Sequence, residues 1–247
     1  MLNSIMKDPR LKDLETAHNE YLFFIEKLKN KEPFSFAHFN DGECNYMFDV
    51  YKTPISRGYQ DYSDELKERL IKSFLINNKN FYRGLPCPFH DEMTYDKCIQ
   101  MLNTNNINFS IAHACVFHHN YSTKKHLFFD ILKTYDSITW IANDKFNLDI
   151  LSSKIGLDKN KSKVIKVPEK NAFDYISILE NNSFEEGEIV ILLCGPIGRV
   201  LAGEYFEKHP KTTFLCLGSY FDNILFKHIK HGYHYDRFMY CEICCTY

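Results

Sequence analysis

Apolar positions along the first thirty residues fall at helical intervals: Leu11, Leu14, Tyr21, Leu22, Ile25 and Leu28 recur mainly at spacings of three and four. Residues 10 to 30 are therefore expected to form an amphipathic helix that ends before Pro33. Pro33 to Phe39, PFSFAHF, is short and aromatic and reads as a strand. It runs straight into Asn40-Asp41-Gly42-Glu43, whose Asp-Gly pair signals a tight turn. Ser63 is placed as the N-cap of a second helix that carries Leu66, Leu70, Ile71, Phe74 and Leu75 and stops near Asn77-Asn78.

Further apolar runs at 80–84, 107–112, 137–142, 163–167, 188–194 and 212–217 predict strands, and EIVILLC, Glu188 to Cys194, is the clearest buried one. Helical patterns at 91–102, 123–134, 145–154, 171–181 and 198–208 lie between them. This alternation predicts an α/β fold: a single Rossmann-like domain with a mostly parallel sheet flanked by helices. No internal repeat, low-complexity tract or linker interrupts the chain. One domain is expected over residues 1–247, with a core at about 33–225 and a tail at 226–247 rich in histidine, cysteine and aromatic residues.

Composition narrows the function. With 45% apolar residues in 247, a substantial core can be buried. A formal net charge of −2 removes the electrostatic case for wrapping nucleic acid. No run approaches the roughly 20 apolar residues that span a bilayer, and Lys7, Asp8 and Pro9 break up the N-terminus, so neither a transmembrane segment nor a signal peptide is expected. Nine cysteines, an odd number scattered from Cys44 to Cys245, fit reduced thiols and a cytoplasmic setting.

Four groups of residues carry candidate chemistry. Asp41 and Glu43 place two hard oxygen ligands one residue apart at a strand's carboxyl end, a pattern that suits Mg²⁺ or Mn²⁺. The alternative is an ordinary surface turn. Cys194-Gly195-Pro196-Ile197-Gly198-Arg199 joins the clearest strand to a helix, so it presents backbone N–H groups to a phosphate or serves as a plain βα connection. His118-His119 offers a base, a sugar-hydroxyl partner or a metal ligand, with a structural hydrogen bond the commoner role. In the tail, His231, His234, Cys241, Cys244 and Cys245 are enough to ligate zinc, although a second Cys-x-x-Cys pair is missing. The same tail mixes Lys227, Lys230 and Arg237 with Tyr233, Tyr235 and Phe238; packing onto the domain is the simplest reading, and an acceptor, a lipid surface or a second subunit in a homo-oligomer are the others.

With these residues laid out, Phe34-Ser35-Phe36-Ala37-His38-Phe39-Asn40-Asp41-Gly42-Glu43 resembles the opening strand and Asp-x-Glu motif of the GT-D glycosyltransferase superfamily, a pattern of the type FSFxRFGDGE. Further segments match in order: Gly58 to Leu66, Tyr82-Arg83-Gly84-Leu85, Ala114 to His119, Val167 to Phe173, Cys194 to Arg199 and Leu217 to Asp222. His38 stands where the family has arginine and Asn40 where it has glycine, so the strand lacks the family's own cation beside the diphosphate.

The resemblance implies a metal-dependent glycosyltransferase. It would move a sugar from a nucleotide-sugar, a uridine diphosphate sugar first, to a glycan or glycoprotein acceptor in polysaccharide biosynthesis. Asp41 and Glu43 would hold the divalent ion and the donor diphosphate. Lys170, Asn171, Gly195, Pro196, Gly198 and Arg199 would line the nucleotide pocket. Asp222 would lie near a sugar, and Asp222 and His119 are the candidate bases. A phosphohydrolase using the same carboxylates with water as acceptor, and a catalytically silent nucleotide-sugar-binding module, are the rival readings; a methyltransferase carries little weight because its glycine-rich turn would follow the first strand.

Overall fold

The computed structural model describes residues 17–49, 60–61, 63–88, 91–119 and 125–226. Seven strands form one sheet: β1 (Ser35–His38), β2 (Phe81–Leu85), β3 (Ile111–His113), β4 (Ile138–Asn143), β5 (Ser162–Val167), β6 (Ile189–Leu193) and β7 (Thr213–Cys216). Their order is β3-β2-β1-β7-β6-β4-β5, and every pairing is parallel. From β1 the chain winds outward through β2 to β3, crosses to β4 and β5 at the far side, and returns through β6 to β7. Ser35 thus pairs with Phe81 on one side and Phe214 on the other. Strand order reverses beside β1, and in such sheets ligands bind outside the carboxyl ends of the strands at that reversal.

Side chains alternate across the sheet with the period of two that a strand imposes. Ile189, Ile191 and Leu193 face one core, with Phe36, Trp140 and Leu215. Val190, Leu192 and Cys194 face the other, with Ala37, Ile141 and Phe214. The first core is covered by α1 (Ala17–Lys29), α5 (Val116–His119), α6 (Lys125–Leu132) and α7 (Leu148–Ile155). The second is covered by α2 (Asp41–Met47), α3 (Asp64–Phe74), α4 (Glu92–Thr104), α8 (Ile176–Leu179) and α9 (Ile197–Lys208). A last short helix, α10 (Asp222–Leu225), follows β7. Burial on both faces explains why strands such as IVILL read as continuous apolar runs. No helix among the described residues is long and apolar enough to cross a membrane.

Ser63 caps α3 as expected, its hydroxyl accepting from the Leu66 N–H at 3.3 Å. Three local readings differ. The run at 107–112 yields a strand only at Ile111–His113, because Asn106 and Ser110 adopt left-handed backbone and Ile107 turns into the core. The helix expected over 171–181 divides into a 3₁₀ turn, Ala172–Tyr175, and α8. The tight turn expected at Asp41-Gly42 is instead the first turn of α2, with Asn40 as N-cap.

Arg83 of β2 has no exposed surface. Its guanidinium donates to the carbonyls of Phe74, Ile76 and Phe81, closing the carboxyl end of α3, where a cation also meets the favourable end of the helix dipole. Burial still pushes its pKa down to about 10. Arg83→Met would leave these carbonyls bare, and a loss of about 2–3 kcal/mol is expected, read as a lowered urea midpoint with an unchanged slope.

Candidate active site

The site begins where β1 ends. Phe39 is buried, Asn40 leaves the strand extended, and Asp41 is the first residue of α2; the side chain of Asp41 lies outside the described residues. Glu43 stands two residues further on, and its carboxylate accepts from the Asn40 N–H at 3.4 Å, the backward arm of a capping box. That bond turns Glu43 inward, where only 4% of the residue is exposed.

The partner that makes this burial tolerable comes from the other half of the chain. The turn after β6 leads through Gly195 and Pro196 into α9, and Arg199 lies in the first turn of that helix. Its Nε donates to the His38 carbonyl at 2.6 Å and its Nη1 to the Gly195 carbonyl at 2.7 Å. Nη2 lies 3.0 Å from His38 Nδ1 and 3.3 Å from Glu43 Oε1. Guanidinium nitrogens only donate, so Nδ1 is the acceptor and His38 is held with its proton on Nε2. A Cβ on Gly198 would lie 3.0 Å from Cys216 Sγ, so α9 packs directly on the end of β7. A Cβ on Gly218 would stand 3.5 Å from His38 Nδ1 and 3.6 Å from Arg199 Nη2, so the turn after β7 closes over the same pair. Three strand ends, β1, β6 and β7, therefore meet at one guanidinium.

A buried cation at a helix N-terminus opposes the helix dipole. Burial works against the charge of Arg199, while the Glu43 carboxylate favours it and leaves its pKa above the ordinary value. For Cys194 and Cys216 burial dominates over the attraction of Arg199 and raises both thiols, so they remain protonated rather than serving as nucleophiles.

Glu43 spends one oxygen on Arg199 and the other on Asn40, so a divalent ion bound directly to it would face a guanidinium. Among the described residues no three His, Cys, Asp or Glu side chains gather around a common metal position.

The other expected residues are spread along the carboxyl edge. Gly195, Pro196, Gly198 and Arg199 form the turn above. Lys170 is exposed after β5, the edge strand. Asn171, next to it, is engaged elsewhere: its Oδ1 accepts from the Asp61 N–H at 2.9 Å and its Nδ2 donates to Asp61 Oδ2 at 2.8 Å. Asp222 opens α10, half-buried, its N–H donating to the Ser219 carbonyl at 3.0 Å. His118 and His119 sit in α5, the short helix that follows β3, and their side chains lie outside the described residues. So do the tail histidines and cysteines considered for zinc. Sequence reasoning missed the link between Glu43, His38 and Arg199 and the clamp between Asp61 and Asn171. The only available signal for the first was the spacing of Asn40 and Glu43, which fits a capping box.

No protein-family model and no curated protein matches the sequence. Two solved structures match the fold. One is described with the statement that the highly conserved domain of unknown function 1792 has a distinct glycosyltransferase fold; it is 20% identical, with a TM-score of 0.58 over 94% of this chain and 91% of that one. The other is a selenomethionine-substituted structure of domain of unknown function 1792, 19% identical, with a TM-score of 0.57 over 98% of this chain and 93% of that one. The chain thus has a single α/β domain with a glycosyltransferase-like fold, similar to that domain.

Proposed function

We propose that this protein is a glycosyltransferase that moves a sugar from a nucleotide-sugar, a uridine diphosphate sugar first, to a hydroxyl of a glycan or glycoprotein. The observation that carries this reading is the meeting of the β1, β6 and β7 turns at Arg199, on the carboxyl edge beside the strand reversal. The glycosyltransferase-like fold supports it.

In the transfer, the bond between the sugar C1 and the diphosphate oxygen breaks, and the leaving diphosphate keeps the electron pair. A new bond forms between C1 and the acceptor oxygen, whose proton passes to a base. Asp41 would hold Mn²⁺ or Mg²⁺, which when bound supplies charge neutralisation for the departing diphosphate. Pro196 has no N–H, and the Gly198 and Arg199 N–H groups donate to the carbonyls of Gly195 and Pro196, so in this turn the Gly195 and Ile197 N–H groups would receive the phosphates. Arg199 holds Glu43 and the β1 turn in place from behind.

Asp222 is the better placed of the two candidate bases. It follows β7, the neighbour of β1, whereas His119 follows β3, which β2 and β1 separate from β7. Three inter-strand spacings put those strand ends about 14 Å apart.

The engagement of Glu43 with Arg199 favours one rival, a module that binds a nucleotide-sugar without turning it over. A panel of nucleotide-sugars with Mn²⁺ or Mg²⁺, followed by thermal shift and by released nucleoside diphosphate, separates the two. Metal-dependent stabilisation with acceptor-dependent release is expected for one donor. Stabilisation without release across a broad acceptor panel would favour the silent module, and release that needs no sugar acceptor would favour a phosphohydrolase. No response to any donor would remove the glycosyltransferase reading.

A further inference from the structure

We infer that Asp144 is the residue that holds the donor's ribose, and that the donor is therefore built on a ribonucleotide rather than on a deoxyribonucleotide such as thymidine diphosphate. The inference rests on the nucleotide-sugar reading and names a part of the donor which that reading leaves open.

The sheet register places Asp144 beside the glycine turn. β4 and β6 are parallel neighbours, and Ala142 pairs with Leu193. Two residues past that pair stand Asp144 and Gly195, so the two turns leave the carboxyl edge side by side, one strand spacing of about 5 Å apart. Gly195 takes a φ of +65°, and a Cβ built there would meet no described atom within 4 Å, so its outer side is open to a ligand. Asp41 and Asp222 lie to the other side of Gly195, after β1 and β7. A donor is a linear string of sugar, diphosphate and ribose. With the sugar on the β1–β7 side and the phosphates at Gly195, the ribose continues over the end of β4.

The turn that carries Asp144 is fixed, and its carboxylate is not spent. Lys166 Nζ donates to the carbonyls of Asn143, Asp144 and Phe146. Asn143 Oδ1 accepts from the Lys145 N–H at 3.0 Å, and the buried ring of Phe146 stacks on Trp140. Glu169, after β5, is committed to Lys145 at 2.5 Å. Asp144 is exposed, and among the described residues its carboxylate accepts no hydrogen bond. A carboxylate accepts from both hydroxyls of a ribose diol, and nucleotide-binding α/β sheets pair a glycine turn for the phosphates with an acidic side chain for the ribose.

The test is calorimetric titration of the full chain with Mn²⁺, for the wild type and Asp144→Ala. The probes are uridine and guanosine diphosphates, their 2′-deoxy forms and inorganic pyrophosphate. Asp144 is exposed, so the variant is expected to fold, and a melting curve checks this. The wild type is expected to bind one ribonucleotide about tenfold or more tighter than its deoxy form, and the variant to bind both equally weakly. Pyrophosphate should bind the variant at least as well as the wild type, because removing a negative charge beside a diphosphate favours the anion. Charge alone would tighten the ribonucleotide as well, so a loss confined to it marks a hydroxyl contact. Three results would overturn the inference: no ribose preference in the wild type, a preference that survives in the variant, or a parallel loss of pyrophosphate. Each of these, with a nucleotide still bound, leaves the glycosyltransferase reading standing, whereas no response to any nucleotide-sugar of the donor panel removes both.

Discussion

Arg199→Met is expected to remove about 3–5 kcal/mol of stability, because it leaves the Glu43 carboxylate buried beside an apolar side chain. The same change frees the carbonyls of His38 and Gly195 from their donor and lets the turns after β1 and β6 separate. Urea denaturation measures the loss. Adding Glu43→Gln to Arg199→Met should restore much of the stability, since the isolated buried charge is then gone. Donor binding should stay lost in the double variant, because neither turn is held in register. A loss below about 1 kcal/mol for Arg199→Met would mean that the pair is solvated, as exposed pairs are, and would remove Arg199 as the element that positions the site.

Asp41→Ala should lower metal-dependent release of nucleoside diphosphate by about 10²–10³-fold, the scale on which deleting one group that stabilises developing charge is felt. Its melting curve should match that of the wild type, because Asp41 opens α2 without supplying its N-cap. Treatment with a chelator should bring the wild type down to the variant's rate and leave the variant unaffected. Turnover at the wild-type rate in Asp41→Ala would place the ion elsewhere. The single substitution is the informative one. Changing Glu43 as well would strand Arg199 without its carboxylate, and a folding defect would then imitate a loss of metal.

Short continuous apolar runs marked the strands, with the run at 107–112 overlapping β3 only at its end, and helical spacing marked the longer helices between them, because burial on both sheet faces leaves a local imprint that a single sequence displays. Ser63 was legible as a cap because capping chemistry spans only three residues. The start of α2 was equally local and was still misread. Asp-Gly speaks for a turn, whereas Asn40 and Glu43 together speak for a helix N-terminus, and the bond from the Asn40 N–H to Glu43 prevails.

Strand order and the composition of the site belong to a different class of information. His38 and Arg199 are 161 residues apart, and Asp61 and Asn171 are 110 apart. Their pairing follows from which strands become neighbours, which is fixed by covering two apolar faces at once with right-handed crossovers. Neither spacing nor propensity records that outcome. The residue types that carry charge at the carboxyl edge were therefore visible in the chain from the start: two acidic residues after the first strand and an arginine after the sixth. Folding alone decided that Arg199 would neutralise Glu43 rather than remain open to solvent, because a carboxylate and a guanidinium brought together out of water are stable only as a pair.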